Sequence, residues 1–297
     1  MLVNQANLHG LAVAYSTAFN KGFDTAATNY QKIATVVPSA TREQSYKWLG
    51  QMPGMREWIG ERELQSLEAH DYSIKNLKFE ASYGVARDEI EDDVYGIYSP
   101  YFSSMGDMAA RHPDELVFNA LKAGFKAKCY DGKAFFADNH ESGDKKFSNK
   151  GKEKLSAESY MKARTSMMSI TGDKGKGLNV VPNLLVVSPA NEQAARMILT
   201  ADQINGTTNI LKGTAELLVE PSLAGAGEHA WYLLCTTSFL KPLIYQVRKA
   251  IKFTSLTKDT DTNVFMQDKY IYGADGRSNA GYGFWQMAYG STGEAEG

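Results

Sequence analysis

The residues best placed to do chemistry lie in one short stretch, Asp131 to Glu141 (DGKAFFADNHE), where Asp138, His140 and Glu141 fall close together. Carboxylate oxygens suit hard cations, and an imidazole with carboxylates suits zinc, so a metal-dependent hydrolase is one reading of this loop. The spacing matches no specific metal motif, however. The other histidines, His9, His70, His112 and His229, have no paired spacing of the HExxH kind. Asp, Asn and Gly so close together are also ordinary turn chemistry.

Other candidate motifs are weaker. Gly172 to Gly177 (GDKGKG) has the composition of a phosphate cradle, but no Ser or Thr follows a Lys there and the loop follows a helical pattern instead of a strand. There is no GxSxG elbow. Asp88 to Asp93 (DEIEDD) offers paired carboxylates, but in a segment that more simply forms the negative start of a helix. Cys129 and Cys235 lack CxxC spacing and read as buried free thiols. No enzyme signature survives, and no cofactor is expected.

The formal net charge of -2 excludes a protein whose work is to neutralise phosphates. Apolar residues at 43% and charged residues at 22% are ordinary for a globular chain, and 297 residues can bury one large or two modest cores. The 16 tyrosines point weakly toward protein interfaces. No apolar run approaches the roughly 18 residues of a membrane span, and no basic segment with an apolar signal core opens the chain, so neither membrane insertion nor signal-peptide export is expected.

The elements that must position these residues follow from periodicity. Leu8, Leu11, Tyr15, Phe19, Phe23, Tyr30 and Ile33 draw one helical stripe over Asn4 to Ile33, with Asn4 as a possible cap; its partner must lie elsewhere in the fold or on another subunit. Arg56 to Arg62 (REWIGER) combines Arg56, Glu57, Trp58 and Arg62, residue types that serve interfaces and local cores alike. Leu77 to Ala86 alternates as a half-buried strand. A matching strand over Leu67 to Ile74, with Lys75-Asn76 as the turn, would make a ribbon too slight to stand alone.

Ser99 and Pro100 open a helical region that Pro113 divides and Gly124 ends through a left-handed cap. Ser156 opens a further helix, Leu178 to Val187 reads as buried extended chain, and Ser188-Pro189 begins another helix. The remainder is mostly extended: Glu216 to Glu220, Trp231 to Cys235, Leu243 to Val247, Ile251 to Leu256, Val264 to Tyr272 and Tyr282 to Tyr289, with a turn at Ala274-Asp275-Gly276. Strands and helices without strict alternation indicate an α+β fold.

Taken in order, several segments resemble the Mu-like major head subunit family: Tyr30 to Arg62, Ile90 to Phe118, Tyr130 to His140, Asn179 to Leu199 and Gly283 to Ser291. The resemblance covers nearly the whole chain and implies the Hong Kong 97-type phage capsid fold. It implies an N-arm over 1–34 and an extended E-loop hairpin over 63–87. A P-domain would comprise 35–62, 88–130 and 256–297, with a spine helix at about 99–124, and an A-domain 131–255.

The implied function is that of a major capsid protein of a phage or prophage. It would assemble with itself into hexamers and pentamers that form an icosahedral shell around double-stranded DNA, without sequence-specific binding. Implied partners are a scaffold and maturation protease, a portal, and decoration proteins where a shell carries them; assembly would take place in the bacterial cytoplasm and end in the virion. Arg56, Glu57, Trp58, Arg62, Lys75, Lys78, Phe79 and Tyr83 are the candidate contacts between subunits. Lys75 and Lys78 find no matching acceptor Asn, so covalent crosslinking is not expected. A nanocompartment shell, which encloses an enzyme, is the alternative within the same fold.

Overall fold

A helix whose apolar residues recur every four positions must bury that stripe, and in the computed structural model it does so against a second helix of the same chain. The structure describes residues 5–47, 49, 71–92, 96–142, 145–172, 175–204 and 206–294. Helix α1 (Gln5–Thr25) lies along α4 (Tyr98–Ala123), and Tyr15, Phe19 and Phe102 are buried between them. The approach is close because each helix presents a glycine. A Cβ on Gly22 would stand 1.9 Å from the Ser103 carbonyl oxygen, and one on Gly106 would stand 2.0 Å from that of Phe19.

The expected single stripe to Ile33 is therefore two elements. α1 stops at Thr25, and Tyr30–Ile33 forms a separate short helix, α2, that runs directly into strand β1 (Ala34–Pro38). Asn4, the expected cap, lies outside the described residues.

Strand β2 (Glu43–Ser45) pairs antiparallel with β3 (Ser73–Lys75), and after Asn76 the chain continues as β4 (Leu77–Ala86). This corrects the expected hairpin. The chain does not reverse at Lys75-Asn76; Ile74 faces Gln44, and β4 pairs along its whole length with a strand close to the C-terminus. The alternation in Leu77 to Ala86 was a true strand signal, but alternation carries no information about which strand lies alongside. The rest of the expected partner strand, up to residue 70, lies outside the described residues.

α3 (Arg87–Asp92) carries Asp88 to Asp92 of the acidic run and precedes α4. α4 begins at Tyr98 with Ile97 as its cap, not at Ser99, and continues through Pro113 without dividing. Gly124 ends it in the right-handed region, φ -58°, so the expected left-handed cap is not formed.

Next come the hairpin β5 (His140–Ser142) with β6 (Lys145–Phe147), strand β7 (Lys150–Gly151) and helix α5 (Ala157–Met168). Ser156 caps α5 as expected, accepting from the Ser159 amide in a reciprocal capping box. Strand β8 (Leu184–Val187), helix α6 (Glu192–Thr200), the small hairpin β9 (Gln203–Ile204) with β10 (Thr207–Thr208), β11 (Glu216–Val219) and β12 (Trp231–Leu234) follow. Ser188 makes no cap; its hydroxyl donates instead to the Glu228 carbonyl.

The C-terminal third differs most from expectation. Leu243 to Val247 and Ile251 to Leu256 belong to one long strand, β13 (Leu243–Leu256), with bulges between. Val264 to Gln267 is not extended but lies in helix α7 (Thr262–Gln267). β14 (Lys269–Tyr282) passes straight through Ala274-Asp275-Gly276, where a turn was expected. Trp285–Met287 is a 3₁₀ turn, and β15 (Ala288–Ser291) ends the fold.

Two larger sheets result. One has the order β1-β13-β14-β4 and packs on α1 and α4. The other has the order β11-β8-β12-β15-β7 and holds the larger core, with β8 and β12 buried throughout. β13 crosses residue 255 inside the first sheet, β4 pairs with β14 in that sheet, and β15 returns to the second sheet beside β12.

Candidate functional site

The eight residues singled out as candidate contacts fall into three places. Arg56, Glu57, Trp58 and Arg62 lie outside the described residues. Phe79 and Tyr83 are two turns of the pleat apart on β4, so they share a face, and that face looks onto α4. Phe79 meets His112 edge-on with ring centroids 4.2 Å apart, and Tyr83 meets Tyr101 at 4.5 Å. Together with Met105, Met108 and Ile251 they line a largely apolar cleft of about 340 Å³. Lys75 and Lys78 are exposed, and alternation puts Lys78 on the sheet face opposite Phe79.

The metal candidate is rearranged. The structure does not bring Asp138, His140 and Glu141 together: the Ser148 hydroxyl donates to Asp138, and Glu141 pairs with Lys133 at 3.0 Å. His140 instead turns inward, fully buried, and stacks on Trp285 with ring centroids 4.2 Å apart and planes 6° from parallel. Its Nδ1 lies 2.5 Å from Asp131 Oδ2, its Nε2 3.2 Å from the Phe135 carbonyl oxygen, and the Cys129 thiol donates to Asp131 Oδ1 at 3.2 Å. The group that gathers is Cys129, Asp131 and His140, with donor atoms within 4.8 Å of one another.

The geometry of that group is the geometry of hydrogen bonds. Two ligands about 2.0 Å from one tetrahedral ion stand roughly 3.3 Å apart, whereas Asp131 and His140 touch as a short charge-assisted pair. Burial pushes the Asp131 carboxyl up, but His140, the Lys133 amide and the Cys129 thiol outweigh burial and hold it below the usual carboxylate range. Burial, with the Asp131 charge beside it, pushes the Cys129 thiol far up, so the thiol stays protonated and can donate. Both cysteines are buried and free. The cluster therefore ties the 129–140 loop to the Trp285 turn.

Several large apolar side chains on the described surface are exposed. Phe239 is 97% exposed, Phe265 80%, Ile210 78% and Met266 70%. Residues of this kind were not flagged by sequence reasoning, because an isolated Phe or Ile in a loop carries no periodic signal. Among the described residues no helix is long and apolar enough to cross a membrane.

The chain matches the family described as Mu-like prophage major head subunit gpT over residues 8–153, 146–223 and 222–296. It is 34% identical to the major capsid protein of Escherichia phage Mu over 294 residues, covering 99% of this chain and 76% of that protein. It is 36% identical to the Mu-like prophage FluMu major head subunit of Haemophilus influenzae over 284 residues, covering 96% and 72%. Among solved structures it resembles a subunit of the procapsid of bacteriophage JBD30, with 35% identity, a TM-score of 0.63, and coverage of 99% and 77%.

Proposed function

This chain belongs to the Mu-like major head subunit family and is a capsid protein, not an enzyme, and from that premise we propose that it builds the icosahedral head of a Mu-like phage or prophage by closing hexameric and pentameric rings around double-stranded DNA. The observation that carries the reading is identity near one third over 99% of the chain to a phage major capsid protein, together with the procapsid likeness.

Physical chemistry supports the ring step. A subunit that repeats one head-to-tail contact closes a ring when the rotation closes. Weak contacts suffice because each subunit engages several at once, and weakness allows misplaced subunits to leave. The exposed side chains of Phe239, Phe265 and Ile210 are suited to such contacts. In this reading residues 1–34 form an N-arm, α4 is the spine, and the segment 63–87, which includes β3 and β4, is the E-loop. A scaffold and maturation protease, a portal and decoration proteins are the proposed partners, with assembly in the bacterial cytoplasm.

Negative-stain electron microscopy of the expressed full chain tests the reading. Closed shells, tubes or rings are expected; a compact monomer that persists at high protein concentration overturns it.

A further inference from the structure

Three adjacent strands of the first sheet place cations in one row. Lys249 of β13 is the register partner of Arg277 of β14, which is the partner of Lys78 of β4. One step along, Lys252 stands opposite Asp275, which stands opposite Glu80. Register partners share a face, and Phe79 and Tyr83 occupy the face toward α4, so this row lies on the face turned away from the helices. Lys78 and Lys252 are exposed.

Neutralisation of the row is incomplete. Among the described residues, Lys249 pairs with Asp275, while Lys78, Lys252 and Arg277 form no ion pair. The Arg277 Nε is buried without a hydrogen-bond partner. Like charges placed side by side in a sheet are unfavourable unless an anion approaches from above.

The same strand carries the complement at its other end. β4 leads directly into α3, where Asp88, Glu89 and Asp92 are exposed. From Lys78 to the end of β4 at Ala86 is eight residues of extended chain, about 26 Å at roughly 3.3 Å per residue, and α3 begins at the next residue. That separation is several times the Debye length of about 8 Å at physiological salt, so the two patches cannot neutralise each other within one subunit. We propose that the row formed by Lys78, Lys252 and Arg277 receives the acidic helix α3 of a second copy of this chain. The proposal rests on the shell-building reading above and gives one of its contacts a charge code: the basic end of one subunit meets the acidic end of the next, and row against row is repelled.

Charge reversal with compensation tests it on the full chain. Lys78→Glu with Lys252→Glu reverses the row; Asp88→Lys with Asp92→Lys reverses the helix; a third protein carries all four changes. Thermal melts establish that each folds, and light scattering with electron microscopy gives the protein concentration at which particles appear. Each reversal alone is expected to raise that concentration about tenfold or more, and the fourfold variant to bring it back toward the wild-type value.

Reversed proteins that melt and assemble like the wild type overturn the inference while leaving the shell reading intact, as does a folded fourfold variant that fails to recover. Row-reversed particles that assemble normally but lose encapsidated DNA would make the row a nucleic-acid surface and also overturn it. A wild type that forms no particles overturns the shell reading and this contact together. Should the row reversal not fold, Lys78→Gln with Lys252→Gln replaces it. The contact then predicts a smaller rise in the assembly concentration and a weaker dependence on salt, and an unchanged salt dependence overturns it.

Discussion

The carboxylate of Asp114, on α4, accepts the backbone amide of Tyr30 at 2.5 Å and that of Asn29 at 2.9 Å. Tyr30 opens α2, whose first amides have no partner within their own helix, so a residue 84 positions away supplies the cap. Asn29 reaches on to Glu220 through its side-chain amide at 3.2 Å, and Arg111 donates to the Ala27 carbonyl oxygen. One joint thus ties the N-terminal segment, the long helix and the end of β11. Asp114→Ala leaves two amides without an acceptor and is expected to cost about 1–3 kcal/mol in denaturant unfolding.

The same carboxyl gives a pH signature. Burial raises its pKa, the amides of Tyr30 and Asn29 oppose that rise, and the nearby Glu220 charge adds to it. The folded state therefore holds the proton more tightly than the unfolded chain does. From this group, stability falls as pH rises through the window between the ordinary carboxylate value and the raised one. Asp114→Asn cannot titrate, so the wild type should gain in melting temperature relative to this variant as pH is lowered from 7 toward 4.5. A difference that does not change with pH would contradict the assignment.

Asp131 has the opposite sign. Its folded pKa is lowered by its hydrogen bonds despite burial, so its contribution is present above the ordinary carboxylate value and is lost as pH falls through the lowered one. Asp131→Asn disrupts the link to buried His140 and is expected to cost about 2–3 kcal/mol at neutral pH, with the gap to wild type closing in acid. Trp285 stacks on His140, so its fluorescence should report loosening of the loop before global unfolding.

Elements with a local cause were legible in the sequence, and pairings that close over long separations were not. The helix start at Ser156 and the alternation of Leu77 to Ala86 depend on neighbours a few residues away, and both appear in the fold. The partner of β4 is β14, nearly two hundred residues on, and nothing in the pattern of either strand names the other. His140 was recognised as chemically notable, but its partners were sought among Asp138 and Glu141 when the turn at Gly132 folds Asp131 and Cys129 back onto it. Glycine inside a helix costs about 1 kcal/mol relative to alanine, so Gly22 and Gly106 within helical patterns called for a packing reason.

That reason yields the last prediction. The α1–α4 crossing is held by Tyr15, Phe19 and Phe102, whose rings interlock with Tyr272 and Phe253 of the first sheet. Those rings can meet only while the two backbones stay close, and a methyl on Gly106 would overlap the Phe19 carbonyl and the Phe23 amide. Neither neighbour can yield, because both are backbone atoms inside a helix. Gly106→Ala should raise the intrinsic propensity of α4 yet undock α1, exposing the faces of Tyr15 and Phe19 to water. Hydrogen exchange should then show α1 amides losing protection while β8 and β12, in the separate larger core, keep theirs. Gly106→Ala with α1 still protected would mean that the methyl is accommodated while the helices stay docked, and the close crossing would not be what holds the N-terminal helix in place.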